Sequence, residues 1–247
     1  MRYSGSKLKF VNDIKSIIEA NISKNDIYVE PFVGGANVFA YINHPIKIGV
    51  DNNQYVIALW NDIKNHNFIA PTNVSKILYY DIKKDYLEKT NIYPKSLIGY
   101  VGNACSNGSA WWNGYANFNE KKKENHIIEA RNGLNKQISN FLYLNSSIFL
   151  CDSYINLKLN KKCLIYCDPP YAGTKKYESN FDNDMFWNWC RKQVKKGNKV
   201  IVSEYNAPDD FICIWAKTKR DGMSITKKNI YIEKLYIHKS QLSLIKY

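Results

Sequence analysis

The sequence predicts an α/β fold: a doubly wound sheet interrupted by an inserted module. Three observations carry this. Short apolar runs of strand length alternate with segments of helical spacing; several of those runs end in an acid or a glycine turn; and between about 65 and 140 the alternation is lost. At 247 residues the chain is long enough for one large domain with an insert.

The first element is a loop, Arg2-Tyr3-Ser4-Gly5-Ser6-Lys7, that feeds a helix whose Phe10, Ile14, Ile17 and Ile18 fall on one face. Such a loop offers backbone N–H groups and a lysine to an anionic group, or is simply a solvated basic stretch. Ile27-Tyr28-Val29-Glu30 reads as a buried strand, followed by the turn Pro31-Phe32-Val33-Gly34-Gly35-Ala36 and a helix expected from near Asn37. The turn is neither a G-x-G-x-x-G dinucleotide fingerprint nor a phosphate loop with its lysine and serine. Its glycines let a ligand approach the backbone.

The second strand, Ile46-Lys47-Ile48-Gly49-Val50, ends at Asp51. A carboxylate there can accept both hydroxyls of a ribose, as the acid does in dinucleotide folds. Equally, Asp51 could cap the helix that runs through Val56, Leu59 and Trp60.

From about 65 to 140, charged runs such as Glu120-Lys121-Lys122-Lys123-Glu124 flank the aromatic cluster Trp111-Trp112-Asn113-Gly114-Tyr115. Lysines neutralise phosphates, aromatic rings stack on or wedge between bases, and Asn reads adenine. Trp111, Trp112 and Tyr115 serve as well for a small hydrophobic core of the insert. Ile148-Phe149-Leu150-Cys151 then forms a strand closed by Asp152 and, two residues on, Tyr154.

The run Leu164-Ile165-Tyr166-Cys167 stops at Asp168-Pro169-Pro170-Tyr171. Proline cannot donate to a sheet ladder and fixes its own φ, so the two prolines end the strand and hold its exit rigid at the carboxyl edge of the sheet. The Asp168 carboxylate and the Pro169 carbonyl are both acceptors, and they suit a flat amino group with two hydrogens. Tyr171 can stack on the heterocycle that bears it, a contact of roughly 1–3 kcal/mol for base–aromatic pairs. The simpler alternative is a strand ending in a Pro-Pro turn. Beyond it come a polar loop with Lys175 and Lys176, a helix marked by Phe186, Trp189 and Val194, a strand over 199–203, a short helix or turn at Asp209-Asp210-Phe211, and a closing strand over 231–238.

A formal charge of +13 and a pI near 9.3 point to a polyanionic partner, with nucleic acid the usual reading. No run approaches the ~20 apolar residues of a membrane span, and nothing reads as a signal peptide, so a cytoplasmic protein is expected. The six cysteines contain no C-x-x-C pair and the four histidines are scattered, so neither a disulfide nor a metal site is expected.

Two stretches carry a family resemblance. Asp168-Pro169-Pro170-Tyr171 resembles the catalytic motif of the amino-group DNA methyltransferases. Val29-Glu30-Pro31-Phe32-Val33-Gly34-Gly35-Ala36 resembles the S-adenosylmethionine loop of the Dam-type adenine methyltransferases, phage-encoded members included, many of which carry Gly where Ala36 stands. The loop at Tyr3–Lys7, Ser203–Pro208 and Glu233-Lys234-Leu235 are similar as well. The resemblance implies a Rossmann-like S-adenosylmethionine-dependent sheet built from residues 1–64 and 141–247, with a target-recognition module at 65–140. It implies Asp168, Pro169 and Tyr171 as catalytic residues. It implies Tyr3, Lys7, Glu30, Phe32, Gly34, Gly35, Asp51, Asp152, Tyr154 and Asp168 as contacts of S-adenosyl-L-methionine. The implied reaction is methyl transfer to adenine N6 in double-stranded DNA after base flipping, because a paired base hides its amino group. Cytosine N4, RNA or a protein amide stay open as substrates, as do a catalytically silent DNA-binding relative and an ATP- or dinucleotide-binding enzyme.

Overall fold

The computed structural model describes residues 1–116, 125–170, 181–220 and 230–247. Seven strands form one sheet: β1 (Ile27–Glu30), β2 (Lys47–Asp51), β3 (Ile148–Cys151), β4 (Cys163–Cys167), β5 (Lys199–Ser203), β6 (Phe211–Arg220) and β7 (Ile230–His238), in the order β3-β2-β1-β4-β5-β7-β6. The first five are parallel, β7 runs antiparallel to β5, and β6 pairs antiparallel with β7 at the edge. This is a Rossmann-like sheet with helices on both faces.

Alternation along the strands sorts side chains into two layers. Tyr28, Leu164, Tyr166 and Ile201 point to one face and pack with Ile14 and Ile18 of α1 (Val11–Asn21) and with Leu59 and Trp60 of α2 (Gln54–Lys64). Val29, Ile165, Cys167, Val200 and Val202 point to the other and meet Phe186, Trp189 and Cys190 of α6 (Asn183–Lys195). Every residue of β4 is buried, as a central parallel strand covered on both faces requires. Burying one of its aliphatic side chains contributes roughly 1.5–3 kcal/mol.

Among the described residues of 65–140 lie three α-helices: α3 (Lys76–Glu88), α4 (Lys95–Ala104) and α5 (His126–Ser139). Their buried residues Tyr79, Ile98, Tyr100, Val101 and Leu134 belong to the same cluster as Tyr28 and Phe39. Trp112 is buried in that shared cluster, while Trp111 and Tyr115 are partly buried against it. The aromatic core is therefore continuous with the first face of the sheet, not private to the insert. Helix α4 crosses α2 at Gly99, where a Cβ would lie 2.2 Å from the Tyr55 carbonyl oxygen.

One expected element differs, and one strand is additional. No α-helix begins near Asn37: Ala36 has φ of +50°, and the chain makes only a 3-10 turn at Phe39–Tyr41 before entering β2. The left-handed backbone at Ala36 cannot be part of a right-handed helix, and Phe39, Ala40 and Ile42 pack into the core from the 3-10 turn and the residues after it. The short helix or turn expected at Asp209–Phe211 is a turn, and it opens a ten-residue strand, β6. The six cysteines are free. Among the described residues, no helix is long and apolar enough to cross a membrane.

Candidate active site

The strand order reverses between β1 and β4, and ligands of open α/β sheets bind in the crevice that such a reversal leaves at the carboxyl ends of the strands. A cleft of about 750 Å³ opens there. Its walls include Glu30 at the end of β1, Asp51 at the end of β2, Asp152 after β3, Asp168 and Pro169 after β4, and Tyr205 after β5. The sheet thus delivers one carboxylate from each of four parallel strands to one cavity.

Gly34 and Gly35 form one wall. A Cβ at Gly35 would lie 2.6 Å from the Tyr3 Cβ and one at Gly34 would lie 2.8 Å from the Tyr3 ring, so the glycines admit Tyr3 against the turn. The turn is tied down from below: the Trp60 indole N–H donates to the Gly34 carbonyl at 2.8 Å, and the Gly34 N–H donates to Asp51 Oδ2 at 3.0 Å.

Asp51 also accepts the Asn53 N–H at 2.9 Å. It does not cap α2; the Asn53 side chain does, accepting the Tyr55 and Val56 N–H groups. Burial raises the Asp51 pKa above the usual carboxylate value, and the two backbone donors partly oppose that rise. Glu30 is buried more completely. Desolvation pushes it up to about 8, although the Tyr28 hydroxyl donates to it at 2.6 Å.

Phe32 and Tyr154 make an aromatic side to the cleft, with ring centroids 5.2 Å apart and Phe186 behind both. Burial raises the Tyr154 hydroxyl to about 12. Asp152 is exposed at the rim, and the Asn156 amide and Ser153 N–H that it accepts hold its pKa below the ordinary value.

Lys7 lies deep in the cleft. Its Nζ is 3.0 Å from Asp168 Oδ1 and 3.6 Å from Glu233 Oε1, and donates to the Gly5 carbonyl at 3.1 Å. Burial by itself would lower the Lys7 pKa, but the Asp168 and Glu233 charges outweigh it and leave the pKa raised. Glu233 stands on β7 and accepts the Ser203 hydroxyl at 2.6 Å. Tyr171, the fourth residue of the Asp-Pro-Pro-Tyr stretch, lies outside the described residues, as do Lys175 and Lys176.

A family model described as D12 class N6 adenine-specific DNA methyltransferase matches residues 3–242. The chain belongs to that family. Among curated proteins it is 25% identical over 189 residues to a DNA adenine methylase of Salmonella typhi, covering 70% of this chain and 64% of that one. A DNA adenine methylase of Haemophilus influenzae is 26% identical over 197 residues, covering 73% and 66%. The type II methyltransferase M.MjaIII of Methanocaldococcus jannaschii is 24% identical over 249 residues, covering 83% and 84%. The matched part spans just under two thirds of the length of these DNA adenine methylases.

In this D12-class chain the sequence points to the four acids at the strand ends, but not to Glu233 or Trp60. Glu233 is visible only as part of a family-like Glu-Lys-Leu run; its one local signal is the charged pair Glu233-Lys234 set between apolar and aromatic residues of the strand. Trp60 falls on the apolar face of α2, and nothing in its spacing tells that the indole N–H reaches the glycine turn.

Proposed function

We propose that this D12-class chain transfers a methyl group from S-adenosyl-L-methionine to the N6 amino group of an adenine turned out of double-stranded DNA, in the cytoplasm. The observation that carries the reading is the placing of Asp168 and Pro169 at the strand-order reversal, in one cavity with the Gly34–Gly35 turn and Asp51. The net charge of +13 suits a DNA partner.

The cleft fits the cofactor by size and chemistry. Its volume lies within the range of small-molecule sites. Asp51 is assigned to the ribose hydroxyls, Phe32, Asp152 and Tyr154 to the adenosine side, and Tyr3, Lys7, Glu30, Gly34, Gly35 and Asp168 to the remaining contacts. Bound there, S-adenosyl-L-methionine would supply an electrophilic methyl on a sulfonium.

The chain's own part begins with the amino group. Asp168 and the Pro169 carbonyl accept its two hydrogens, and Tyr171 is assigned the stacking role on the sequence alone. The nitrogen lone pair is ordinarily delocalised into the ring. Acceptors that tighten as positive charge grows on nitrogen stabilise the transition state more than the ground state. Lys7, Asp168 and Glu233 together carry one net negative charge, so the ammonium orients Asp168 without cancelling the field that faces the developing cation. An Asp168 carboxylate oxygen then takes the N6 proton.

The test is transfer of labelled methyl from S-adenosylmethionine to plasmid DNA grown without adenine methylation, with nucleoside analysis of the product. Label in N6-methyldeoxyadenosine is the expected result. Label in N4-methyldeoxycytidine, in RNA or nowhere overturns the adenine assignment.

A further inference from the structure

Gln137 stands in the last turn of α5 and is 2% exposed. Its amide Nε2 donates to two consecutive carbonyls of the cofactor turn, Gly35 at 3.0 Å and Ala36 at 2.9 Å. Its Oε1 is buried with no hydrogen-bond partner among the described residues. A leucine or methionine would fill this place without burying an unsatisfied acceptor, so what the glutamine adds is its donor. The carbonyls it holds flank a strained point: Ala36 has φ of +50°, in the left-handed region that costs an L-residue with a Cβ.

The other end of the same helix is tied to the opposite layer of that wall. Arg2 donates to the His126 carbonyl at 3.2 Å and pairs with Glu129 at 3.5 Å. Arg2 is followed directly by Tyr3, whose ring lies against Gly34 and Gly35. Both layers of the wall, Arg2–Tyr3 and Gly35–Ala36, are therefore fastened to α5, at its two ends. The helix itself lies in the 65–140 region to which DNA recognition is assigned.

We propose that Gln137 is a positioning residue for the glycine turn. It links the shape of the cofactor pocket to α5, and so couples cofactor affinity to occupancy of the 65–140 region by DNA. The proposal rests on the cofactor and DNA assignments above. Coupling of this kind is reciprocal and spans roughly 5–150-fold in affinity where it has been measured in other proteins.

The experiment is calorimetric titration of S-adenosylhomocysteine into the full chain, with and without an adenine-containing DNA duplex, for wild type, Gln137→Met and Gln137→Glu. The expected result is that the duplex changes the wild-type affinity several-fold. Gln137→Met should bind the ligand about tenfold more weakly, and the duplex should then have little effect. In Gln137→Glu, a protonated carboxyl regains one donor. Its affinity relative to wild type should therefore recover as pH is lowered through the range where a buried carboxyl takes up a proton. Wild-type affinity and an undiminished duplex effect in Gln137→Met, or no recovery in Gln137→Glu, would overturn the role of Gln137. A wild-type protein that fails to bind S-adenosylhomocysteine at all would instead overturn the cofactor assignment on which the proposal stands.

Discussion

The ammonium of Lys7 lies 3.0 Å from Asp168, and behind it Glu233 stands at 3.6 Å, so one buried cation is shared by two carboxylates from different strands. Asp168→Asn keeps the volume and loses the charge. Methyl transfer should fall by at least about 100-fold, the effect of losing one positioned electrostatic partner. S-Adenosylhomocysteine affinity should fall by much less than turnover, since Asp168 is only one of several assigned cofactor contacts, and turnover near that of wild type would end the catalytic assignment of Asp168.

Lys7→Met removes the shared cation and leaves two carboxylates facing each other. A carboxylate stripped of its counter-charge takes up a proton more readily. The acid limb of the pH–rate profile should therefore move to higher pH, with reduced turnover at neutral pH. An acid limb unchanged in position would show that Lys7 does not act through the carboxylates.

Glu30 makes stability depend on pH in a defined direction. Its native pKa stands at about 8 against 4.5 for the free side chain. Between these values the native state holds a proton that the unfolded chain has released, so stability falls as pH rises across that window. Glu30→Gln keeps the shape and an acceptor for Tyr28. It should be more stable than wild type by on the order of 3 kcal/mol near pH 8 and no different below pH about 4.5. Denaturant unfolding at the two pH values checks this; parallel wild-type and mutant curves would refute it.

Asp51→Ala removes the acceptor of the Gly34 and Asn53 N–H groups as well as the proposed ribose contact. These contacts exist before the transition state, so the expected loss is in cofactor KM, about tenfold or more, with kcat at saturation nearly preserved. Because Asn53, not Asp51, caps α2, the helix should survive, and an unaltered circular dichroism spectrum with unaltered cofactor affinity would leave Asp51 with no functional role.

Gly99→Ala places a methyl 2.2 Å from the Tyr55 carbonyl oxygen, which is backbone and cannot rotate aside. Helices α2 and α4 must separate, and overpacking of this kind costs typically 1–3 kcal/mol. The unfolding midpoint should drop accordingly. An unchanged midpoint would mean that the two helices do not cross as closely as described.

The sequence made the parallel half of the sheet legible because each of its strands is a short apolar run with its own punctuation. Asp51, Asp152 and the Asp168-Pro169-Pro170 stop mark where strands end, and the strand ends are where the cleft lies. What stayed hidden depends on contacts between residues far apart in the chain. Strand β6 reads Phe-Ile-Cys-Ile-Trp-Ala-Lys-Thr-Lys-Arg, with apolar residues crowded at one end and a bulge at Cys213–Trp215, so no clean period of two shows. The expected helix after Gly34–Gly35 does not form because Ala36 takes a left-handed conformation, and only a short 3-10 turn follows before β2. Nothing in the sequence around Gln137 marks it, because its partner carbonyls lie about a hundred residues earlier.

Strand β7 enters the sheet between β5 and β6, and it carries Glu233 to Lys7. The loop after β5 is braced by the same strand, since Lys234 and Tyr236 both donate to the Tyr205 carbonyl. The Lys7–Glu233 contact joins residues from opposite ends of the chain, a wide sequence separation whose loop-closure entropy has to be overcome before it forms. Glu30, Gly34, Gly35 and Asp51 lie on or beside β1 and β2, so that part of the cleft needs no contact with β7. A chain interrupted before β7 would lose Glu233 and leave Lys7 and Asp168 as a neutral pair, without the net negative charge proposed to face the developing cation, so on that assignment the antiparallel hairpin works as a completion check on the site.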